Sequence, residues 1–496
     1  MTDTDPTTAP LAFDNTFAAT MEGFYKAARP APVAEARLIA FNDKLAAELG
    51  IDRGALDDAG WARALSGQEP LPGAEPIAQA YAGHQFGHFV PQLGDGRALL
   101  LGEVIGADGR RRDVQLKGSG PTHFSRGGDG LSPLGPVLRE YLVSEAMHAL
   151  GVPTTRALAA VSTGQTVYRE EPLPGAVFTR VATSHLRVGT FQYFAARGEI
   201  EQLRRLADYA IGRHDPQLAG TDDRYLAFLQ SVCNRQAALV AHWMSLGFVH
   251  GVMNTDNTSI SGETIDYGPC AFMEPYDPGT VFSSIDRNGR YCYGRQPRIV
   301  LWNLARLAET LIPLIGDDQD AAIAKATEIV ETVGPTYERE WFERLRAKLG
   351  LSTAQDGDWE LVEAWHNLMH TGDVDFTNAF RALASAAEGS EQPLRTLFAT
   401  APAIDGWLAE YRTRLANEAV DAAERAAAMR AVNPAFIPRN ERVEEAIEHA
   451  VRRDDFEPFR ALLAVVTRPF DDQPGRERFA QPAPADDEPY VTFCGT

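Results

Sequence analysis

The chain has little cysteine. Four residues in 496, Cys233, Cys270, Cys292 and Cys494, are too few and too scattered for a disulfide framework or a zinc site. Thiols are the expected state. No run approaches the roughly 20 apolar residues needed to span a bilayer. The opening, MTDTDPTTAPLAFDN, lacks the cationic and apolar segments of a secretory signal and the arginine-rich amphipathic pattern of a transit peptide. A cytoplasmic protein without membrane contact is expected. Basic charge is also short: 47 Lys and Arg face 68 Asp and Glu, for a formal net charge of −21. Nucleic-acid backbones and anionic membranes demand clustered cations, so neither is expected as a partner, and any phosphate must be bound locally.

What is present suits a large folded core, since 44% of residues are hydrophobic and 23% charged. Residues 1–60 mix helical stretches such as FNDKLAAELG with proline-containing connectors and read as an extension packing on the rest. From Gln79 the texture changes to short apolar runs broken by Gly and Asp. ALLLGEVIGADGRRRDVQLKG reads as two antiparallel strands joined at Ala-Asp-Gly, where glycine supplies the positive φ of a tight turn. PVLREYLVSEAMHALG, Pro136 to Gly151, carries apolar residues at helical spacing between an opening proline and a closing glycine. TRALAAV, QTVYRE and GAVFTRVA return to strand texture. Beyond about residue 190 long amphipathic helices are expected at 223–247, 299–316, 319–348 and 404–430. Residues 471–496, rich in Pro and Asp, read as an extended tail.

The sharpest pattern is HGVMNTDN, His250 to Asn257, followed nine residues later by Asp266, Tyr267 and Gly268. Laid without gaps over the protein-kinase loop HRDLKPEN, Asn257 falls on the metal-binding asparagine, and Asp-Tyr-Gly is similar to the kinase Asp-Phe-Gly. The place of the kinase's catalytic aspartate is held by Val252, which can neither accept a proton nor orient a hydroxyl. Asn257 and Asp266 offer hard oxygen ligands of the kind Mg²⁺ takes alongside phosphate. Asp256, four positions after the missing base, is placed to take over proton acceptance; in isolation the same pair fits an Asx turn.

Other residues join this set by their order along the chain. Gly94, Gly96 and Arg97, in QLGDGR, suit backbone and guanidinium contact with phosphate, or a plain hairpin turn. Lys117 ends a strand and Glu140 follows 23 residues later on a helix, the order in which a kinase pairs its phosphate-binding lysine. GSGPTHFSRGGDG, which includes Asp129 and Gly130, adds a second glycine-rich loop. Arg180 and Arg187 offer forks for phosphate oxygens or for surface carboxylates. Cys494, near the chain end, and Cys270, four residues after Asp266, can pair as a redox switch or remain two unlinked thiols.

YAGHQFGHFVPQLGDGRALLLGE, QLKGSGPTHFSRGGDG, REYLVSEAMHALGVPTTRALAAV, FTRVATSHLRVGTFQYFA, HGVMNTDNTSISGETIDYGPCAF and NPAFIPRN together closely resemble the selenoprotein O family, also called SelO or YdiU. The resemblance runs from about Phe13 to the tail. It implies an α+β, bilobal protein-kinase-like fold: a small strand-rich N-lobe with one long helix at 61–186 and a large helical C-lobe at 187–470. It implies a protein adenylyltransferase that binds ATP in a flipped orientation and transfers AMP to Ser, Thr or Tyr hydroxyls of proteins, releasing pyrophosphate. Residue by residue, Gly94, Gly96, Arg97, Lys117, Asp129, Gly130, Arg180 and Arg187 would form the ATP pocket. Glu140 would hold Lys117, Asp256 would accept the proton, and Asn257 and Asp266 would bind Mg²⁺, with Mn²⁺ as a substitute. Cys494 stands third from the end, where some relatives carry selenocysteine. Uridylyl transfer from UTP with Mn²⁺, γ-phosphoryl transfer and a noncatalytic nucleotide-binding scaffold are the alternatives.

Overall fold

In the computed structural model, which describes residues 10–398, 404–484 and 490–492, the expected hairpin forms the middle of a larger antiparallel sheet. In chain order the strands are β1 (Tyr25–Ala27), β2 (Arg37–Phe41), β3 (Ile77–Gln79), β4 (Gly83–Gln85), β5 (His88–Val90), β6 (Ala98–Ile105), β7 (Arg111–Lys117), β8 (Ser132–Pro133), β9 (Arg156–Tyr168), β10 (Pro172–Ala182), β11 (Phe248–Val249) and β12 (Ala271–Phe272). Among the described residues, eight of these form one sheet in the order β1, β3, β6, β7, β10, β9, β2, with β8 on β10. The segment before residue 60 thus does more than pack on the outside, because it supplies both edge strands. TRALAAV and QTVYRE merge into the single strand β9.

Pleating decides which residues of the sheet can meet. Gln115 pairs with Arg180 across β7 and β10, and paired residues share a face, as do residues two apart on one strand. Gln115, Lys117 and Arg180 therefore project together, while Val114, Leu116 and Val181 enter an apolar cluster on the other side. Helix α1 (Leu134–Ala149) lies across the polar face. Its apolar residues Val137, Leu138, Tyr141 and Leu142 are buried with Ala157, Ala160, Ala176 and Phe178 of β9 and β10. The helix begins two residues before Pro136, since a proline within the first turn displaces no intrahelical hydrogen bond. Gly151, just past its end, has φ +79°.

The remainder is helical around one large apolar cluster. Helix α2 (Val188–Ala195) follows β10; α3 (Arg224–Leu246) and α4 (Gln296–Ile315) match the expected helices within three residues. Two expected helices are each divided. The 319–348 stretch breaks at Thr332 into Gln319–Glu331 and Val333–Lys348, because Pro335 cannot donate to the carbonyl of residue 331. The stretch from 404 breaks into Ile404–Ala416 and Ala422–Val432. There Asp421 accepts from the Ala423 and Glu424 amides and starts the second helix afresh. Among the described residues no helix is long and apolar enough to cross a membrane.

Candidate active site

The loop that follows α3 is built around buried polar groups. β11 ends at Val249, and the next residue, His250, is fully buried, its backbone amide donating to the Gln296 side-chain oxygen and its Nε2 meeting the Ile265 carbonyl, both at 2.9 Å. Those bonds clamp the 250–257 loop beside the 265–268 loop. The Asn257 amide nitrogen donates to the Val252 carbonyl at 3.0 Å, which leaves its side-chain oxygen as the atom available to a ligand. Asp266 adopts φ +64°, a left-handed conformation that costs a non-glycine residue energy and recurs at functional sites.

Three cations converge on Asp266. Lys117 Nζ lies 2.6 Å and Arg180 Nη1 2.7 Å from Oδ1, and Arg187 Nη1 lies 3.1 Å from Oδ2. Burial alone would raise this carboxyl, but the charges of Lys117, Arg180 and Arg187 overcome it and hold the group well below the usual carboxylate range. Glu140, from α1, takes Lys117 at 2.6 Å and Arg180 at 3.3 Å. The paired Lys and Glu expected from their order along the chain thus meet, and they meet beside Asp266. Gln115 accepts from Arg180 at 2.6 and 3.1 Å, and Arg187 sits over the Tyr81 ring at 4.5 Å.

Asp256 has different surroundings. Oδ2 accepts one hydrogen bond, from Gln85 Nε2 at 3.1 Å, and Oδ1 is buried without a partner. With burial dominant and only Gln85, its own backbone and the more distant Arg187 opposing it, the carboxyl is pushed up to about 6. A second buried carboxyl, Asp95, is likewise raised to about 6 by burial. It accepts from the Gln79 amide at 3.0 Å and faces Arg187 at 3.8 Å.

The glycine-rich loops meet each other closely. A Cβ on Gly94, whose φ is +76°, would fall 2.3 Å from the Phe124 ring, and one on Gly130 would fall 2.1 Å from the Gly120 carbonyl oxygen. Gly94 lets the 94–97 turn pack on the 118–130 loop, and Gly130 lets that loop close on itself at Gly120, roles the sequence does not reveal. Arg97 and Gly96 line the same cleft, and among the described residues the Arg97 guanidinium has no hydrogen-bonding or ionic partner. Asp129 stands at the rim, paired to Arg169 at 2.9 and 3.1 Å.

Most of these residues border one cleft of about 1040 Å³, which is ample for a nucleoside triphosphate; Gln79, Gln115, Gly120, His250 and Gln296 stand behind its wall. Every residue expected in the pocket, Gly94, Gly96, Arg97, Lys117, Asp129, Gly130, Glu140, Arg180, Arg187, Asp256, Asn257 and Asp266, lines it. Asn257 and Asp266 present hard oxygen donors, and among the described residues no group of three or more His, Cys, Asp or Glu is placed to hold an ion. With the Asn257 side-chain nitrogen given to Val252, its oxygen and the Asp266 carboxylate are the cleft-lining groups that could hold a cation whose other ligands come from phosphate and water. Cys270 is buried, while Cys494 lies outside the described residues. Thr492 donates to the Pro269 carbonyl at 2.9 Å, which brings the tail beside the residue preceding Cys270.

Sequence reasoning missed Tyr81, Gln85, Asp95, Gln115 and Arg169. Gln115 was within reach, since it shares a strand face with Lys117. Gln85 had no such signal, being 171 residues from Asp256.

Residues 7–467 match the family model described as protein adenylyltransferase SelO. The protein nucleotidyltransferase YdiU of Bradyrhizobium sp. strain BTAi1 is 58% identical over 490 residues, covering 99% of this chain and 100% of that one. The Rhodopseudomonas palustris strain BisB18 protein of the same name is 59% identical over 485 residues, covering 98% and 99%, and the Rhizobium meliloti protein is 58% identical over 486 residues, covering 98% and 99%. A family match over most of the chain, joined to relatives more than half identical along their full length, means that this protein belongs to the SelO family and is a protein nucleotidyltransferase.

Proposed function

We propose that the enzyme is a protein adenylyltransferase with a bilobal, protein-kinase-like fold, which binds ATP reversed and moves AMP to Ser, Thr or Tyr hydroxyls. One observation carries the reading: two carboxyls of the same cleft have opposite surroundings, Asp256 buried with one neutral side-chain donor, Gln85, which leaves it pushed up to about 6, and Asp266 gathered by Lys117, Arg180 and Arg187, which hold it well below its usual range. Such a split separates a proton acceptor from a permanent anion. Val252, where a kinase keeps its base, leaves Asp256 as the carboxylate of that loop.

In the proposed reaction the acceptor hydroxyl gives its proton to the Asp256 carboxylate as its oxygen bonds to the α-phosphorus. The bond from that phosphorus to the bridging oxygen breaks, and its electron pair leaves on pyrophosphate. Lys117, Arg180 and Arg187, with Arg97 at the cleft wall, are the cations available to the departing charge. They can turn to it because Asp266 and Glu140 already gather them in one place. Asn257 and Asp266 would hold Mg²⁺, or Mn²⁺ in its stead, and the ion supplies charge neutralisation across the phosphates. Gly94, Gly96, Asp129 and Gly130 shape the wall on which the nucleotide rests. A disulfide between Cys270 and Cys494 belongs to the same reading. Non-reducing peptide mapping after oxidation tests it, and absence of a linked peptide removes it.

The test of the reaction is label transfer. With ATP labelled at the α or the γ phosphate, the protein product should retain α label and release pyrophosphate; its intact mass should rise by one adenylyl group. Retained γ label would make the enzyme a kinase. Transfer from UTP with Mn²⁺ in preference to ATP would make it a uridylyltransferase, and no label in any arm would leave a nucleotide-binding scaffold.

A further inference from the structure

The motif YAGHQFGHF forms a two-stranded hairpin of its own. Strands β4 and β5 pair Gly83 with Val90, His84 with Phe89 and Gln85 with His88. The turn is Phe86-Gly87 with φ of +51° and +87°, the conformation of tight two-residue hairpins. This hairpin is separate from the large sheet and makes its polar contacts with the loop that carries Asp256.

Those contacts follow the loop residue by residue. The His84 amide donates to Thr255 Oγ1 at 2.7 Å, and Thr255 donates to Gln192 of α2 at 2.6 Å. Gln192 closes the ring on His84 Nδ1 at 2.8 Å. The Phe86 amide donates to Asn254 Oδ1 at 3.2 Å, and the Tyr291 hydroxyl reaches the same oxygen at 2.7 Å. Between these two anchors, Gln85 donates to Asp256 Oδ2 at 3.1 Å. The other carboxylate oxygen lies against Gly83, where a Cβ would come within 2.3 Å. A carboxylate can only accept, so the Gln85 nitrogen must face it. Among the described residues this is the only side-chain hydrogen bond that Asp256 receives.

We propose that Gln85 is a positioning residue for the transfer reaction: held by the hairpin, it fixes the rotation of the Asp256 carboxylate toward the acceptor hydroxyl. The inference rests on Asp256 as proton acceptor. Gln85 touches no reacting atom in this role and acts through Asp256 alone. Orientation of a proton acceptor matters because transfer needs it within hydrogen-bond reach of the departing proton.

The test uses the full chain with Gln85→Leu, Gln85→Glu, Asp256→Asn and His88→Ala, the last removing the exposed cross-strand neighbour of Gln85. Label transfer from α- and γ-labelled ATP is followed on the enzyme itself and on casein. Gln85→Leu should lower kcat roughly ten- to hundredfold while KM for ATP stays within about twofold. Gln85→Glu, which sets a second carboxylate against Asp256, should lose at least as much. His88→Ala should keep wild-type kcat. In an Asp256→Asn background, Gln85→Leu should cause no further loss, since a double-mutant cycle exposes action through a shared partner. Wild-type kcat in Gln85→Leu, an equal loss in both backgrounds, a change in KM alone, or an equal loss in His88→Ala would each overturn the role. If the wild type carries γ label, adenylyl transfer falls while the same variants, scored on that label, still judge Gln85. A wild type that transfers neither label overturns both.

Discussion

Two neighbouring carboxylates of the cleft meet their surroundings in opposite ways. Around Asp266 three side-chain cations from β7, β10 and the start of α2 meet within 3.1 Å. Around Asp256, one neutral amide from a hairpin supplies the side-chain hydrogen bond. The first carboxylate is stabilised as an anion at any working pH; the second sits near the point where it exchanges a proton. A site that must neutralise phosphate charge and also remove a proton needs both environments, and a separation by shell of partners lets one chain provide them.

Breaking the cationic side should have the largest effect. Asp266→Ala should abolish transfer, a loss of more than about a thousandfold, while circular dichroism stays close to wild type; wild-type turnover would remove Asp266 from the reaction. Stability should fall as well, because Lys117, Arg180 and Arg187 lose their shared counter-ion, and breaking a buried pair costs about 3–5 kcal/mol.

Asp256→Asn comes next. Loss of a proton acceptor lowers kcat by roughly 10²–10⁴, and nucleotide affinity should hold because the cationic side is intact; equilibrium binding of ATP measures the latter. In the wild type, kcat/KM should rise with pH through an apparent value near 6, because the acceptor works deprotonated. A rate that is flat between pH 5 and 7 would place the base elsewhere.

Gly83→Ala sharpens the contrast by crowding one carboxylate only. Its Cβ would press on Asp256 Oδ1 at 2.3 Å, so kcat should drop roughly tenfold with ATP binding unchanged. Weakened ATP binding of the same size would show that the hairpin serves the nucleotide side as well.

The subtlest readout is how stability changes with pH in metal-free and nucleotide-free buffer, where the two carboxylates carry opposite signs. The Asp256 carboxyl is raised in the fold, so its contribution is fully present below its ordinary value of 3.8 and declines as pH rises through about 6. Asp256→Asn should therefore melt ~1–3 °C above wild type at pH 8 and lose that advantage near pH 4. The Asp266 carboxyl is depressed, so its contribution is present above 3.8 and lost as pH falls below it. The deficit of Asp266→Ala should accordingly shrink as pH drops toward 3. Equal pH slopes in the two variants would deny that the sides differ electrostatically.

Much of the first side was legible before the structure. Lys117 ends a strand and Glu140 occupies a helix 23 residues on, and strand pleating then sets Gln115 and Arg180 on the same face as Lys117. Asn257 and Asp266 stand at the spacing of adjacent loops. These relations are local or follow from periods of 2 and 3.6, which one-dimensional patterns carry. Helix breaks were less legible, because 319–348 and 404–430 keep an amphipathic pattern across Thr332 and across residues 417–421. Pro335 interrupts the hydrogen-bond ladder and Asp421 starts a new one without disturbing that pattern.

By itself the sequence determined the chemistry on offer: oxygen-bearing side chains in two neighbouring loops, a lysine with its glutamate, and a valine at Val252 with a carboxylate four residues on. Its length, acidity and scarce cysteine set the class of molecule. Only the tertiary structure decided how each charge behaves. That Asp256 rests on Gln85, that Asp95 is buried beside Arg187, and that Gly94 packs on Phe124 are facts of residues far apart in the chain. A carboxylate's proton affinity depends on which dipoles and ions surround it in a medium of low polarity, and that neighbourhood exists only once the chain has folded.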